Sequence, residues 1–320
     1  NTNENKEKYG EVYTPELIIN NMLDTLPIEI WRNKNIKWFD PTSGNGNFMI
    51  YIYFRLMESI PYDELITDDI GKSAHIIKNM LFFNDTNLES VNNTKFIFSK
   101  INTDVDVDVD VDINIENNDF LTTEYSTLMD IIVQNPPYNL NGTKEKGKKN
   151  VFTLFVDKSL KILKPHGYLL TIHPSSYRIS NYSPKGTKIN LNNLYTSLQI
   201  HNICMFTITQ TYELMNVQIN VDYLLVENCL PYKPTIIEDI YGNKINREIK
   251  TTDNIPNFGF SILDKLKNVC NQVGDISQYI YRSSELHHSY WKNGKIKTGE
   301  YPIIHLLKNS KKGNVIYYSN

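Results

Sequence analysis

Asn135-Pro136-Pro137-Tyr138 closes the run Asp130-Ile-Ile-Val-Gln134, which reads as a strand. Proline has no N–H for a sheet ladder and a fixed φ, so the strand must stop there and a rigid turn begin. The turn offers neutral hydrogen-bond acceptors beside an aromatic ring, and no strong base. That combination suits chemistry in which orienting a group counts for more than removing its proton. A second cluster, Asp40-Pro41-Thr42-Ser43-Gly44-Asn45-Gly46-Asn47-Phe48, follows a short apolar run, Ile36–Phe39, and precedes another of helical length, Phe48–Met57. Strand, glycine loop and helix open a nucleotide-type α/β unit. A dinucleotide fingerprint would carry a third glycine where Met49 stands, and a P-loop would carry Gly-Lys-Ser/Thr; neither is present. Asp85, at the tip of the next predicted strand, is placed to take two ribose hydroxyls. An adenosine-type cofactor therefore fits this loop better than a phosphate-rich one.

These residues need a scaffold that brings strand ends together. Thr14-Pro15-Glu16 followed by Leu17, Ile18, Met22 and Leu23 predicts a helix with Thr14 as its cap and proline in the first turn. Strands are predicted at Ile36–Phe39, Met80–Phe83, Asp130–Gln134, Gly167–Ile172 and Val217–Val226, with a helix over Val151–Leu163. Strands alternating with helices imply a mostly parallel sheet covered on both faces. The alternation stops after Asn228. Residues 235–249 read as a hairpin turning at Gly242-Asn243, and the remainder is polar, basic and aromatic. The division expected is a catalytic domain over 1–230 and, over 231–320, a small α+β extension that would be a partial target-recognition or DNA-binding region.

The chain of 320 residues has a net charge of −3, but the charge is unevenly spread. Residues 1–140 hold 10 Lys+Arg against 23 Asp+Glu, whereas residues 141–320 hold 23 against 13. Such a split can give one face that attracts phosphates. Ala74 is the sole alanine, Lys outnumbers Arg 28 to 5 and Asn fills one position in eight, a usage that tracks AT-rich codons. No apolar run reaches the roughly 18–20 residues of a membrane span, and the polar start is no signal peptide. Cys204, Cys229 and Cys270 are too few and scattered for a disulfide framework or a zinc site, so a reducing compartment is expected. The Asp-Val alternation of Asp104–Asp112 lacks the glycine and glutamate of a calcium loop and reads as a low-complexity insertion. Glu285-x-His287-His288 has no further ligand pair at suitable spacing, and no metal is expected.

In order along the chain, four motifs resemble those of the amino (N6-adenine) DNA methyltransferases that use S-adenosylmethionine. Gly10-Glu11-Val12-Tyr13-Thr14-Pro15 resembles the family's N-terminal motif, and Asp40 to Phe48 its cofactor loop. Asn118-Asp119-Phe120-Leu121 is similar to the segment that holds the cofactor adenine, and Asn135 to Tyr138 to the catalytic tetrapeptide. His173-Pro174-Ser175-Ser176 looks like the strand-end motif that follows. The order is that of the gamma group, and the resemblance spans roughly residues 9–228. It implies a Rossmann-like methyltransferase fold and S-adenosylmethionine bound by Tyr13, Thr14, Pro15, Asp40, Pro41, Ser43, Gly44, Gly46, Phe48, Asp85, Asp119 and Phe120. It also implies a role in DNA methylation and restriction-modification.

Its implied chemistry agrees with the residue types. An exocyclic aromatic amine is a poor nucleophile because its lone pair is delocalised into the ring. Asn135 Oδ1 and the Pro136 carbonyl can accept hydrogen bonds from an adenine N6 amino group, drawing the nitrogen toward tetrahedral geometry. The base must leave the duplex, with Tyr138 as its stacking partner and Tyr212 as the candidate for the opposite face. Lys144, Lys146, Lys148 and Lys149 follow the catalytic turn, and Arg178, Lys185 and Lys188 follow the strand-end motif, where duplex phosphates would lie. His287, His288, Tyr290, Trp291, Lys292, Lys295 and Lys297 mix aromatic and basic residues suited to a groove. The expected partner is double-stranded DNA, with a separate recognition or nuclease subunit beside it. The expected location is the cytoplasm, the nucleoid or a viral replication compartment. With 90 residues after the core and no initiator methionine, the chain reads as a segment of something longer. The competing readings are a methyltransferase for release-factor glutamine or an RNA base, and an inactive DNA-binding subunit of the same fold.

Overall fold

The computed structural model describes residues 12–101, 113–138, 151–180, 189–250, 253–273, 303–310 and 313–319. Up to Phe258 the chain forms one compact unit. Its elements run α1 (Glu16–Leu23), α2 (Ile28–Trp31), β1 (Trp38–Asp40), α3 (Asn47–Ser59), α4 (Asp69–His75), β2 (Leu81–Asn84), α5 (Leu88–Ile101) and β3 (Asn114–Glu116). There follow β4 (Met129–Gln134), α6 (Phe152–Lys161), β5 (Leu163–Pro174), α7 (Leu191–Thr196), β6 (Gln199–Met205), α8 (Ile208–Met215), β7 (Val221–Glu227), β8 (Thr235–Glu238) and β9 (Lys244–Arg247).

The strands form one sheet in the order β3-β2-β1-β4-β5-β7-β6-β8-β9. From β3 to β5 all neighbours are parallel, while β7 runs against both β5 and β6. The expected fold class is observed: α/β, with a mostly parallel sheet. Trp38 lies beside both Leu81 and Ile131, so the carboxyl ends of β1, β2 and β4 share one edge of the sheet. In an open parallel sheet that edge is where ligands bind. The strands at its centre are apolar through both phases, as burial on both faces requires.

One face of the sheet is covered by α1 and α3, with α1 lying against β7 and against α3. Ile18, Ile19, Met22 and Leu23 meet a set from α3, Phe48, Met49, Ile52, Tyr53 and Leu56, in one buried cluster. On its outer side Arg55 bonds Asp24 at 2.6 Å, so the helix pair is held by packing and an exposed ion pair.

Three local expectations are revised. Thr14 does not cap α1: Pro15 occupies the cap position, and no side chain caps the helix. The strand predicted from Val217 begins at Val221, because Val217 N–H bonds Thr211 O and the Thr211 hydroxyl bonds Ile219 O, tying those residues to α8. The hairpin predicted over 235–249 is present as β8 and β9, with Gly242 at φ 80° in its turn. However, β8 pairs in parallel with β6 and extends the main sheet, so the unit ends at Phe258 rather than near 230. A second unit, Gly259–Asn320, contains the helix α9 (Phe260–Val273) and an antiparallel pair, β10 (Ile303–Ser310) with β11 (Gly313–Ser319). The Asp104–Asp112 run lies outside the described residues.

Gly46 joins the β1 loop to α3 at φ 81°, and a Cβ there would lie 3.1 Å from Thr94 Cγ2. Gly44, at φ 51°, has nothing within 4 Å of the equivalent position. Gly46→Ala is therefore expected to destabilise by about 2 kcal/mol, from backbone strain plus a close contact, and Gly44→Ala by about 1 kcal/mol, from strain alone. Denaturant midpoints of the two variants give the comparison; equal losses would contradict it.

Candidate active site

At the carboxyl edge of β1, β2 and β4 lies a cleft of about 840 Å³ including its open mouth. Its wall is built from Val12–Thr14, the loop after β1, Asn84–Thr86, Phe120, Asn135, Pro137 and Phe155. A concave wall on which a few polar groups converge is the usual form of a small-molecule site.

At the end of β4 the Asn135 side chain is held from one side. Its Nδ2 donates to the Val12 carbonyl at 2.9 Å and to Thr14 Oγ1 at 2.9 Å. A carbonyl can only accept, which fixes which end of the amide is nitrogen. Both N–H groups are thereby used, and the buried Oδ1 has no partner. An unpaired buried acceptor is costly, and here it sits in the wall of a cleft. The Thr42 hydroxyl reaches the Asn135 backbone carbonyl at 3.4 Å and ties the turn to the β1 loop.

That loop is held mainly by the end of β2. Asp85 Oδ2 accepts the Gly44 N–H at 2.8 Å and its Oδ1 accepts the Asn87 N–H at 2.8 Å. Asn84 donates to the carbonyls of Pro41 and Asn118, each at 3.1 Å, and accepts the Asn118 N–H, linking three loops through one side chain. Its contribution was missed in the sequence, where it is simply the polar residue before Asp85. Ser43 is buried with an unpartnered hydroxyl. Asp40, 1% exposed, accepts the Thr42 N–H at 3.0 Å, yet burial, with a smaller push from the Asp85 charge, raises its pKa to about 8.

Opposite lies an aromatic wall. Phe120 stacks on Phe155 with centroids 5.6 Å apart and ring planes 24° from parallel. Behind it Lys158 Nζ lies 5.3 Å from the Phe120 centroid and bonds the Leu121 carbonyl at 3.1 Å. Phe155 and Lys158 belong to α6, whose periodicity was read but whose neighbour across space was not.

Among the residues expected from sequence, Tyr13, Thr14, Asp40, Pro41, Ser43, Gly44, Phe48, Asp85, Phe120, Asn135 and Pro137 converge on this cleft. Tyr13 stands at 47% exposure. Pro15, Gly46 and Pro136 are not among the lining residues, although each adjoins one that is. Asp119 is exposed, its Oδ1 accepts the Leu121 N–H at 2.9 Å, and it is not among the residues of the cleft wall. Tyr138 is 5% exposed and packs in the hydrophobic core; burial pushes its phenol pKa up, and its Oη has no partner. In this conformation its ring is not open to a stacked base. Tyr212 lies 51% exposed on α8, away from the cleft wall.

Arg178 requires correction as a phosphate contact. It is 4% exposed, with its Nε 3.0 Å from Asp222 Oδ2, and that oxygen also accepts the Tyr177 hydroxyl at 2.8 Å. A buried guanidinium paired in this way supports the end of β5 rather than a ligand. Lys144, Lys146, Lys148, Lys149, Lys185, Lys188 and the group from His287 to Lys297 lie outside the described residues.

The geometry has counterparts among known proteins. The model of the Eco57I restriction-modification methylase family matches residues 63–211. An "uncharacterized adenine-specific methylase" of Mycoplasma pneumoniae is 36% identical over 75 residues, 22% of this chain and 17% of that protein. The restriction-modification enzyme MmeI, solved with DNA, superposes with a TM-score of 0.52 at 12% identity, over 81% of this chain and 43% of its own. A nuclease-deletion mutant of the Type ISP enzyme LlaGI superposes with a TM-score of 0.52 at 14% identity, over 81% of this chain and 25% of its own. The chain thus spans less than half the length of each. The matched stretch contains two of the four motifs, Asn118–Leu121 and Asn135–Tyr138, and supports the resemblance there; the superposed structures show a fold shared with restriction-modification enzymes.

The folded protein keeps a proton on Asp40 that the unfolded chain has already released, so this group makes stability fall as pH rises from about 4 to about 8. Asp40→Asn, which retains an acceptor for the Thr42 N–H, should flatten that slope by up to about 1.4 kcal/mol per pH unit. Unfolding curves at pH 5, 6 and 7 test this; parallel slopes in the two proteins would contradict it.

Proposed function

We propose that this chain transfers a methyl group from S-adenosylmethionine to N6 of an adenine turned out of duplex DNA. The observation that carries the reading is the free, buried Asn135 Oδ1, whose orientation is set by two hydrogen bonds from the other end of the same amide. The residues present fit the cofactor. Phe120 and Phe155 offer a wall for a purine, Asp85 a carboxylate for ribose hydroxyls, and Ser43 a hydroxyl still lacking a partner. Gly44, with open space where a Cβ would be, admits close approach of a ligand to the backbone. Asp40 would complete the cation-favouring side, its charged form being promoted by a nearby positive group. When bound, the cofactor supplies an electrophilic methyl group.

For the acceptor, Asn135 Oδ1 and the Pro136 carbonyl receive hydrogen bonds from the N6 amino group. This localises the nitrogen lone pair and aims it across the cleft. Neutral acceptors suffice, because the proton can leave after the methyl group has moved. Tyr138 would have to leave the core to stack on the base, and Tyr212 is the candidate for the opposite face. Binding to duplex phosphates is assigned to Lys144, Lys146, Lys148, Lys149, Lys185 and Lys188, and recognition of sequence to residues 259–320, a longer protein or a partner subunit. Among the described residues no helix is long and apolar enough to cross a membrane.

Incubation with tritiated cofactor and three acceptors, AT-rich duplex DNA, RNA and release factor, should label adenine in DNA alone. Label in RNA or protein but not in DNA would overturn the reading. Asn135→Ala should lower transfer by at least about a hundredfold while cofactor affinity changes only a few-fold. Thr14→Val leaves one Asn135 N–H unsatisfied and should lower turnover roughly tenfold at saturating cofactor. Full turnover in the Thr14 variant would show that the amide is held by other means.

A further inference from the structure

A second polar cluster lies at the other end of the sheet. β5 pairs with β4 from Met129↔Leu163 to Gln134↔Thr171, so His166 lies where β4 begins, while Asn135 follows its end. His166 takes φ 61°, and its Nδ1 lies 2.9 Å from Glu227 Oε1. A ring nitrogen of His166, a carboxylate oxygen of Glu227 and the sulfur of Cys229 all fall within 4.8 Å of one another. We propose that these three residues bind a zinc-like divalent cation.

Backbone hydrogen bonds set the two segments against each other. His166 N–H donates to Asn228 O at 3.0 Å, Asn228 N–H to Gly167 O at 2.9 Å, and the Asn228 side chain to the carbonyls of Leu163 and Lys164. Cys229 is fixed on both sides, its N–H bonding Glu227 O at 2.8 Å and its carbonyl accepting the Gln199 N–H at 2.9 Å. The Glu227 carboxylate is oriented from behind, because Oε2 accepts from His201 Nε2 at 2.8 Å and from the Tyr232 hydroxyl at 3.1 Å. Supporting groups that orient a ligand in this manner are the usual second layer of a metal centre. They leave Oε1 turned toward His166.

Donor chemistry selects the cation. Imidazole nitrogen and thiolate sulfur disfavour magnesium and calcium and suit zinc or cobalt, with water completing a tetrahedron. Bond lengths of about 2.0–2.3 Å demand that the donors close by roughly 1 Å from their outer limit. His166, with its side chain 75% exposed, can make that movement and also leaves the cation a way in. Protons balance if the Cys229 thiol releases one to solvent as sulfur binds, while the proton that His166 Nδ1 shares with Glu227 Oε1 is exchanged through solvent for one on Nε2, freeing the Nδ1 lone pair for the cation. The bound cation would clamp the start of β5 to the end of β7.

Titration of the metal-free chain with Co²⁺ should give thiolate-to-cobalt charge-transfer absorption that saturates at one equivalent and is displaced by Zn²⁺. Cys229→Ser should abolish that absorption, and Cys204→Ser should leave it unchanged. His166→Asn, which retains a residue tolerant of positive φ, should weaken binding at least about tenfold. Far-ultraviolet circular dichroism of each variant separates loss of ligand from loss of fold. Absence of the absorption in excess Co²⁺, or its persistence in folded Cys229→Ser, would overturn the proposal.

Discussion

The side-chain amide of Asn135 commits both of its N–H groups to residues 12 and 14, more than 120 positions earlier in the chain. The rest of the cleft depends on that clamp. It sets the direction of Oδ1, and it seats the segment that leads into α1 against the end of β4. With that segment in place, Val12, Tyr13 and Thr14 become one wall of the cleft, facing the β1 loop. Rotation of the amide by half a turn would set its oxygen 2.9 Å from the Val12 carbonyl, two acceptors in contact, and would exchange two hydrogen bonds for the one that the Thr14 hydroxyl could donate. One pair of hydrogen bonds therefore fixes both the shape of the cleft and the chemistry of its free atom.

Much of this was legible because the motifs sit at predictable places in a parallel sheet. A Pro-Pro pair after an apolar run must end a strand, and a glycine loop between strand and helix must turn where β1 ends; both follow from local stereochemistry. The misses have a common cause, which is that the deciding partner is far away in sequence. Thr14 has the composition of a helix cap, yet Asn135 takes its hydroxyl. Arg178 stands among basic residues, yet Asp222, buried on β7, takes its guanidinium. The boundary expected near 230 fails for the same reason, since only the parallel pairing of β8 with β6 shows that the sheet continues.

Two buried carboxylates show how the same environment serves different ends. Asp222 has its pKa raised to about 6, burial outweighing the attraction of Arg178 and the Tyr177 hydroxyl. Asp40 has its pKa raised to about 8, burial outweighing the hydrogen bonds that the Thr42 backbone and side chain offer it. The first is answered at Oδ2, by Arg178 and the Tyr177 hydroxyl, and so ties the end of β5 to β7. The second is left only partly answered at the wall of a cleft, where a cationic ligand would lower its pKa and gain affinity by doing so.

Charge counting along the sequence suggests a basic half, but the structure qualifies what that charge is free to do. Between residues 151 and 180 the basic side chains are engaged at home. Lys158 bonds the Leu121 carbonyl behind the aromatic wall, Lys161 pairs with Asp157, Lys164 with Asp130 and Arg178 with Asp222. The two lysine pairs are surface contacts that salt would weaken, whereas Arg178 is locked in the interior. Lys158 has a second role, because its ammonium lies 5.3 Å from the centroid of the Phe120 ring, within reach of a cation–π attraction. The positive excess is thus partly architectural: it holds the wall and the strand end that shape the site, and a net count of charges overstates what remains for phosphates.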